Sequence, residues 1–265
     1  MFEFWWAYLL LGGGVGFIAG MLGAGGGLMM VPLLALIFEA KGFPPNHTLH
    51  LAIATCMASV PFTSLASTIS HHQHAAVRWD IVRRLSPGIV AGALAGSVFA
   101  GAIDIKILTI LFIAFVYYAS ARMLLGVKPR PTQGLPGKTG MLGMGLVIGG
   151  ISSLAAIAGA ALSVPFMVKC NVRMHEAIGT SAAIGFPIAI TATLGYIVMG
   201  AAVTLPMYTL GFVFVPALIV IAIATTVTAP LGARLAHRTP AGRLRTFFAL
   251  ILLVLATRML WGFFT

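Results

Sequence analysis

The chain is poor in charge, and poorest in acid: five Asp and Glu against sixteen Lys and Arg in 265 residues, with charged residues only 8% of the total. The five acids are Glu3, Glu39, Asp80, Asp104 and Glu176. All fall in loops or at the ends of apolar runs, so a carboxylate relay through the interior has little support. Two cysteines, Cys56 and Cys170, cannot build a disulfide framework, and both are expected to be buried free thiols. No P-loop, no His-Glu-x-x-His and no dinucleotide fingerprint in a βαβ setting occurs. Nucleotide-driven chemistry, a bound cofactor and an enzymatic role are therefore not expected. The alternating strands of a membrane barrel are absent as well.

What remains is apolar. Hydrophobic residues make up 60% of the chain and the mean hydropathy is +1.04. That composition predicts an all-α polytopic membrane protein with the lipid bilayer as its surroundings. The net charge of +11 does not point to nucleic acid, because the basic residues sit in short loops between apolar runs. Met1 to Trp6 carry no basic stretch, so a cleaved leader is not expected. Trp5 and Trp6 read as interfacial anchors.

One run is organised around Leu22-Gly23-Ala24-Gly25-Gly26-Gly27. Each glycine in a helix interior costs about 1 kcal/mol relative to alanine. The expectation is two half-helices, 6–21 and 28–39, meeting at a break. Freed N–H groups at the start of the second would suit an anion. The same small residues would equally serve close helix packing. Spans are expected at 48–70, 85–103 and 107–126, with Asn46 as N-cap of the first. Gly88, Gly92 and Gly96 give the 85–103 span one flat face for close packing.

The second half echoes the first. Asn46 to Thr55 (NHTLHLAIAT) matches Asn171 to Thr180 (NVRMHEAIGT) at five of ten positions. Val31-Pro32 matches Val164-Pro165, and Arg122-Met123-Leu124 matches Arg258-Met259-Leu260, in the same order. The expected organisation is a first repeat at 1–126, a cytoplasmic linker at 127–140 and a second repeat at 141–265. The second break is alanine-substituted at 156–160, so it is expected to be milder, or filled by hydrogen bonds from Ser152, Ser153 or Ser163. Segments 71–84, 122–138 and 234–245 hold eleven of the sixteen basic residues and are expected to be cytoplasmic. Charge is opposite at equivalent loops, since basic 71–84 corresponds to uncharged 199–204. This predicts inverted repeats, each beginning with a broken re-entrant helix pair. Eight simple crossings in two parallel repeats is the competing arrangement.

Gly20 to Pro32 (GMLGAGGGLMMVP), His50 to Cys56 (HLAIATC), His71 to Trp79 (HHQHAAVRW) with Asp80, Gly149 to Pro165, and Glu176 to Ser181 (EAIGTS) together resemble the TauE/SafE family of sulfite exporters. The resemblance covers nearly the whole chain. It departs at Ala54-Thr55-Cys56, where the family usually shows Gly-Thr-Ser, whereas Gly179-Thr180-Ser181 is regular. It implies transport of sulfite, sulfonates or related small sulfur anions across the bacterial inner membrane.

An oxyanion at mid-membrane needs donors from broken-helix ends and hydroxyls. The candidate substrate-binding positions are Gly25, Gly26, Gly27 and Thr55 from the first half, and Gly159, Thr180 and Ser181 from the second. The hydroxyls could equally bond the carbonyl one turn back. His50 and His175, each five residues before a matched threonine, are candidates for proton coupling, or are simply interfacial histidines. His71, His72 and His74 form a histidine tract with no partner at ligand spacing, so no metal site is expected. The resulting expectation is a secondary transporter that exports a small sulfur-containing anion, such as sulfite or an organosulfonate, by alternating access, with H+ or Na+ as candidate coupling ions. An importer of a related anion, or a membrane scaffold without transport, are the alternatives. The oligomeric state is not legible.

Overall fold

The computed structural model describes residues 4–22, 26–125, 134–157, 159–236 and 241–264, with side chains described except at 19–22, 233–236, 241–245 and 263–264. Gly25 and linker residues 127–133 lie outside these residues. The elements are α1 (Trp5–Leu22), α2 (Gly27–Ala40), α3 (Thr48–Gln73), α4 (Trp79–Ala102), α5 (Ile105–Leu124), α6 (Lys138–Leu154), α7 (Ala160–Lys169), α8 (Met174–Gly200), α9 (Val215–Ala236) and α10 (Ala241–Phe264). A short antiparallel ribbon, β1 (Thr209–Leu210) and β2 (Val213–Phe214), leads into α9. Five helices are long and apolar enough to cross a bilayer among the described residues: α3, α4, α5, α8 and α9. Leu10, Val198 and Trp261 are among the large apolar side chains left on the outside, which is where lipid tails would lie. The chain is a multi-pass membrane protein.

The 85–103 span is longer than its apolar core. α4 begins at Trp79, because polar residues at the end of a helix that reaches water do not interrupt it. Asn46 does not cap α3. It lies inside a 3₁₀ turn, Pro45–His47, and His47 precedes α3 with no side-chain cap. Pro44 and Pro45 set the backbone here, and Thr48 Oγ1 donates to Pro44 O at 3.0 Å instead.

Helix contacts are reciprocal between the halves. α1 packs along α9 and α6 along α4, while α3 and α8 cross at the centre. Glycines make both outer seams. A Cβ on Gly88 or Gly92 would overlap the carbonyl oxygen of Leu142 or Leu146, and one on Gly149 would overlap Ile89 O. On the other seam a Cβ on Gly16 would stand 2.7 Å from Thr225 Cα. Gly12 and Gly16 precede Val31-Pro32 by the same distances as Gly145 and Gly149 precede Val164-Pro165. Backbones approach this closely only where side chains are absent.

Each broken segment is a hairpin. Tyr8, early in α1, and Phe38, late in α2, have ring centroids 6.4 Å apart, so the first pair starts and finishes at one end of the bundle. That end also holds His50, Asp104 and Phe212, which share a small pocket. α6 runs alongside α4 in the same direction, from the opposite end, and α7 returns toward the start of α8. At that opposite end Gly179 of α8 faces Ala76 and His71. α3 and α8 therefore run antiparallel, and segments 71–84 and 199–206 lie at opposite ends.

At the second break Ala156 and Gly159 both adopt left-handed backbone, at φ 51° and 80°, while residues 23–25 of the first break lie outside the described residues. The serines do not fill the second break. Ser153 donates to Gly150 O within its own helix, and the hydroxyls of Ser152 and Ser163 are buried without a partner. Alanine can be forced into the left-handed region when packing over-determines it, at a cost of roughly 1–3 kcal/mol. Tertiary contact from the first hairpin supplies that constraint.

Candidate functional site

The tips of the two hairpins meet. Gly27, the first residue of α2, lies against the backbone of Ala156, and a Cβ at Gly27 would overlap the Ala156 carbonyl oxygen. Neither half-helix has a side-chain cap. Gly26 precedes α2 and Gly159 precedes α7 with no cap bond at either. The first N–H groups of both half-helices consequently lack intrahelical acceptors near the middle of the fold.

A cavity of about 560 Å³ opens beside this contact. Its floor is Gly26, Gly27, Cys56, Ala160 and Ser181. Ser59, Thr63, Ser67 and Ser70 climb one face of α3 from the floor toward the 71–84 end, with His71 and, just past the helix, His74 beside them. Thr225 and Thr226 of α9 form the facing wall. No carboxylate lines this cavity among the described residues. An anion in it would therefore meet hydroxyls, a thiol, helix N-termini and two imidazoles, and no like charge to repel it.

The expected residues divide into three groups. Gly26, Gly27 and Ser181 are brought together on the floor. The Ser181 hydroxyl is buried, 1% exposed, and has no partner in the protein. Thr55, Thr180 and Gly159 do not line the cavity. Thr55 Oγ1 accepts from Phe214 N at 2.9 Å, and Thr180 Oγ1 accepts from Arg78 N at 2.9 Å. These bonds are matched across the halves: each threonine holds the residue just before a long helix, α9 or α4, that belongs to the other half. Gly159 takes the left-handed turn that launches α7. Gly25 lies outside the described residues.

The two histidines are separated. His50 is buried at the far end, with Nε2 2.8 Å from Ala100 O and its ring stacked on Phe212 at 5.0 Å. His175 is exposed at the opposite end, near the Arg173–Glu176 ion pair. Above His50 an aromatic group seals that end: Phe38, Phe43 and Phe214 stand 5.1–5.6 Å apart, with Lys41 Nζ 5.0 Å from the Phe214 ring.

Sequence reasoning missed Cys56 and the polar stripe of α3. The signal was present: positions 59, 63, 67, 70 and 74 recur at helical spacing within an apolar span. Polar residues on one face of such a span mark a watery or substrate-facing side. His71 and His74, read as part of a tract without a metal partner, stand at the cavity mouth.

Comparison with known proteins identifies the family of the chain. The model of the sulfite exporter TauE/SafE family matches residues 8–259. A "Probable membrane transporter protein" of Haemophilus influenzae is 33% identical over 98% of this chain and 99% of its own length. Probable membrane transporter proteins of Bacillus subtilis (YdhB) and Methanocaldococcus jannaschii are each 26% identical, covering 85% and 93% of this chain and 88% and 93% of theirs. No solved structure matches. The chain belongs to the sulfite exporter TauE/SafE family and is a membrane transporter protein.

Proposed function

We propose that the protein is a secondary transporter that exports sulfite or an organosulfonate by alternating access, with the anion held where the two hairpin tips meet. The observation that carries this reading is the acid-free cavity with an unpartnered buried hydroxyl, Ser181, on its floor. A buried hydroxyl without a partner costs roughly 1–3 kcal/mol, and a bound oxyanion removes that cost. The uncapped starts of α2 and α7 add donors on the same floor.

The transport mechanism follows from the two halves. In this reading they are inverted repeats, supported by the antiparallel run of α3 and α8 and by hairpins that enter from opposite ends. The cavity opens toward the end that carries the basic 71–84 segment, which the charge rule assigns to the cytoplasm. The far end is closed by Phe212 on His50 and by the aromatic group around Phe214. This is an inward-open arrangement, and the outward-open one requires the opposite end to part. Helix contacts can reorganise this way because packed interfaces are bistable.

The test is uptake of labelled sulfite into proteoliposomes holding the full chain, with and without a pH gradient, competed by sulfate, thiosulfate and sulfonates. Saturable flux with sulfite or sulfonate competing best is the expected result. Absence of saturable flux for every one of these anions would overturn the reading.

A further inference from the structure

The cavity floor carries two matched positions with unlike chemistry. Cys56 follows Thr55 as Ser181 follows Thr180, so the two residues hold equivalent places in α3 and α8. Both line the floor. Cys56 Sγ also touches the tip contact, since a Cβ at Gly27 would lie 3.4 Å from it. Hydroxyls around them are engaged: Ser59 Oγ donates to Cys56 O at 2.7 Å, and Ser64 Oγ donates to Ala182 O at 2.6 Å. Ser181 Oγ is free to donate. The floor thus offers one strong donor from the second half and one thiol from the first. A thiol is a weak donor and a weak acceptor, and when unpaired it behaves as a small polarisable hydrophobe.

Resting on the anion reading above, we propose that Cys56 is a specificity-determining residue that makes the site accept an oxyanion with one oxygen-free face. Sulfite is pyramidal: three oxygens lie on one side and the sulfur lone pair on the other. A sulfonate places carbon on that second side. Either can turn its oxygens toward Ser181 and the half-helix N-termini while its soft or apolar face meets the Cys56 thiol. Sulfate is tetrahedral and has oxygen on every face, so one of its oxygens would be buried against the thiol with a poor partner. Leaving such an oxygen unsatisfied is the kind of penalty by which a site rejects a close analogue. Cysteine at position 56 therefore excludes sulfate, where a second serine would admit it.

The experiment is calorimetric binding of sulfite, methanesulfonate and sulfate to the purified full chain in nanodiscs, as wild type, Cys56→Ser, Cys56→Ala and Ser181→Ala. Wild type should prefer sulfite and methanesulfonate to sulfate. Cys56→Ser should raise sulfate affinity relative to sulfite about tenfold, one added hydrogen bond to a charged oxygen. Cys56→Ala should keep the discrimination, and Ser181→Ala should weaken all three anions. A Cys56→Ser protein that binds sulfite with an unchanged sulfate-to-sulfite ratio overturns the role of Cys56 and leaves the anion site standing. Wild type that binds none of the three overturns both. A second measurement needs no variant: alkylation of Cys56 by N-ethylmaleimide, followed by the mass of its peptide, should slow in saturating methanesulfonate, which does not itself react with the maleimide. An unchanged rate overturns the proposal.

Discussion

The seam between α3 and α9 and the seam between α4 and α8 join matched helices, yet one holds a cavity and the other is shut. On the open seam, the faces are Ser67 and Ser70 of α3, with His74 just past its end, and Thr226 and Pro230 of α9. On the shut seam, Gly195 of α8 lies so close to Ser97 of α4 that a Cβ would overlap the hydroxyl, and a Cβ on Gly101 would be 2.6 Å from Met199 Cβ. Small residues let α4 and α8 close, and polar ones keep the α3–α9 face wet. The two seams have therefore settled into different packings. In the alternating cycle proposed above, exchange of the two packings would move the opening from one end to the other.

The sharpest way to break this comparison is to put bulk into the shut seam. Gly195→Ala should pry α4 from α8, at a packing cost of about 1–3 kcal/mol. Thiol labelling from the far side of a cysteine placed at Met199 should then rise several-fold, and Ser97→Gly in the same chain should reverse it. Labelling that stays at the wild-type level would show that the seam is not a gate.

The threonine bonds allow the next comparison. Thr55→Val leaves Phe214 N buried without an acceptor, which costs about 1–3 kcal/mol. Thr180→Val should cost less, because the bond to Arg78 N is only partly buried. Thermal unfolding should rank the two in that order, with serine at either position restoring most of the loss. Equal losses would mean that the two latches are equivalent after all.

Ser181→Ala separates binding from folding. Its hydroxyl has no partner in the protein, so the melting temperature should hold while sulfite affinity falls about tenfold. Ser64→Ala, which loses a bond to Ala182 O, should show the reverse pattern. The smallest effect is expected at Asp80→Asn. Its pair with Arg78 at 2.8 Å is exposed on both sides, so the change in stability should stay under about 1 kcal/mol and sulfite flux should be unaltered.

Much of the site was legible in part. Gly26 and Gly27 stood out because a glycine cluster in an apolar run has few structural explanations, and Ser181 because it stands in a matched block. Thr55 and Thr180 stood out for the same reason, but the match could not say that their hydroxyls were held by Phe214 N and Arg78 N. Those partners lie 159 and 102 residues away. The backbone of the second break was hidden for a similar reason. Ala156 has the propensity of a helix former, and its sequence does not show that its left-handed backbone packs against Gly27.

The sequence by itself determined that the chain crosses a membrane as helices, because an apolar chain in lipid must satisfy its backbone within each segment. It also indicated where the apolar runs are interrupted, since that is a property of local composition. Tertiary structure alone decided that the two breaks touch and that Cys56 and Ser181 share one floor. It also decided which of two similar seams is open. Those outcomes depend on how closely backbones approach one another, a distance set by every glycine along a seam at once and encoded in none of them singly.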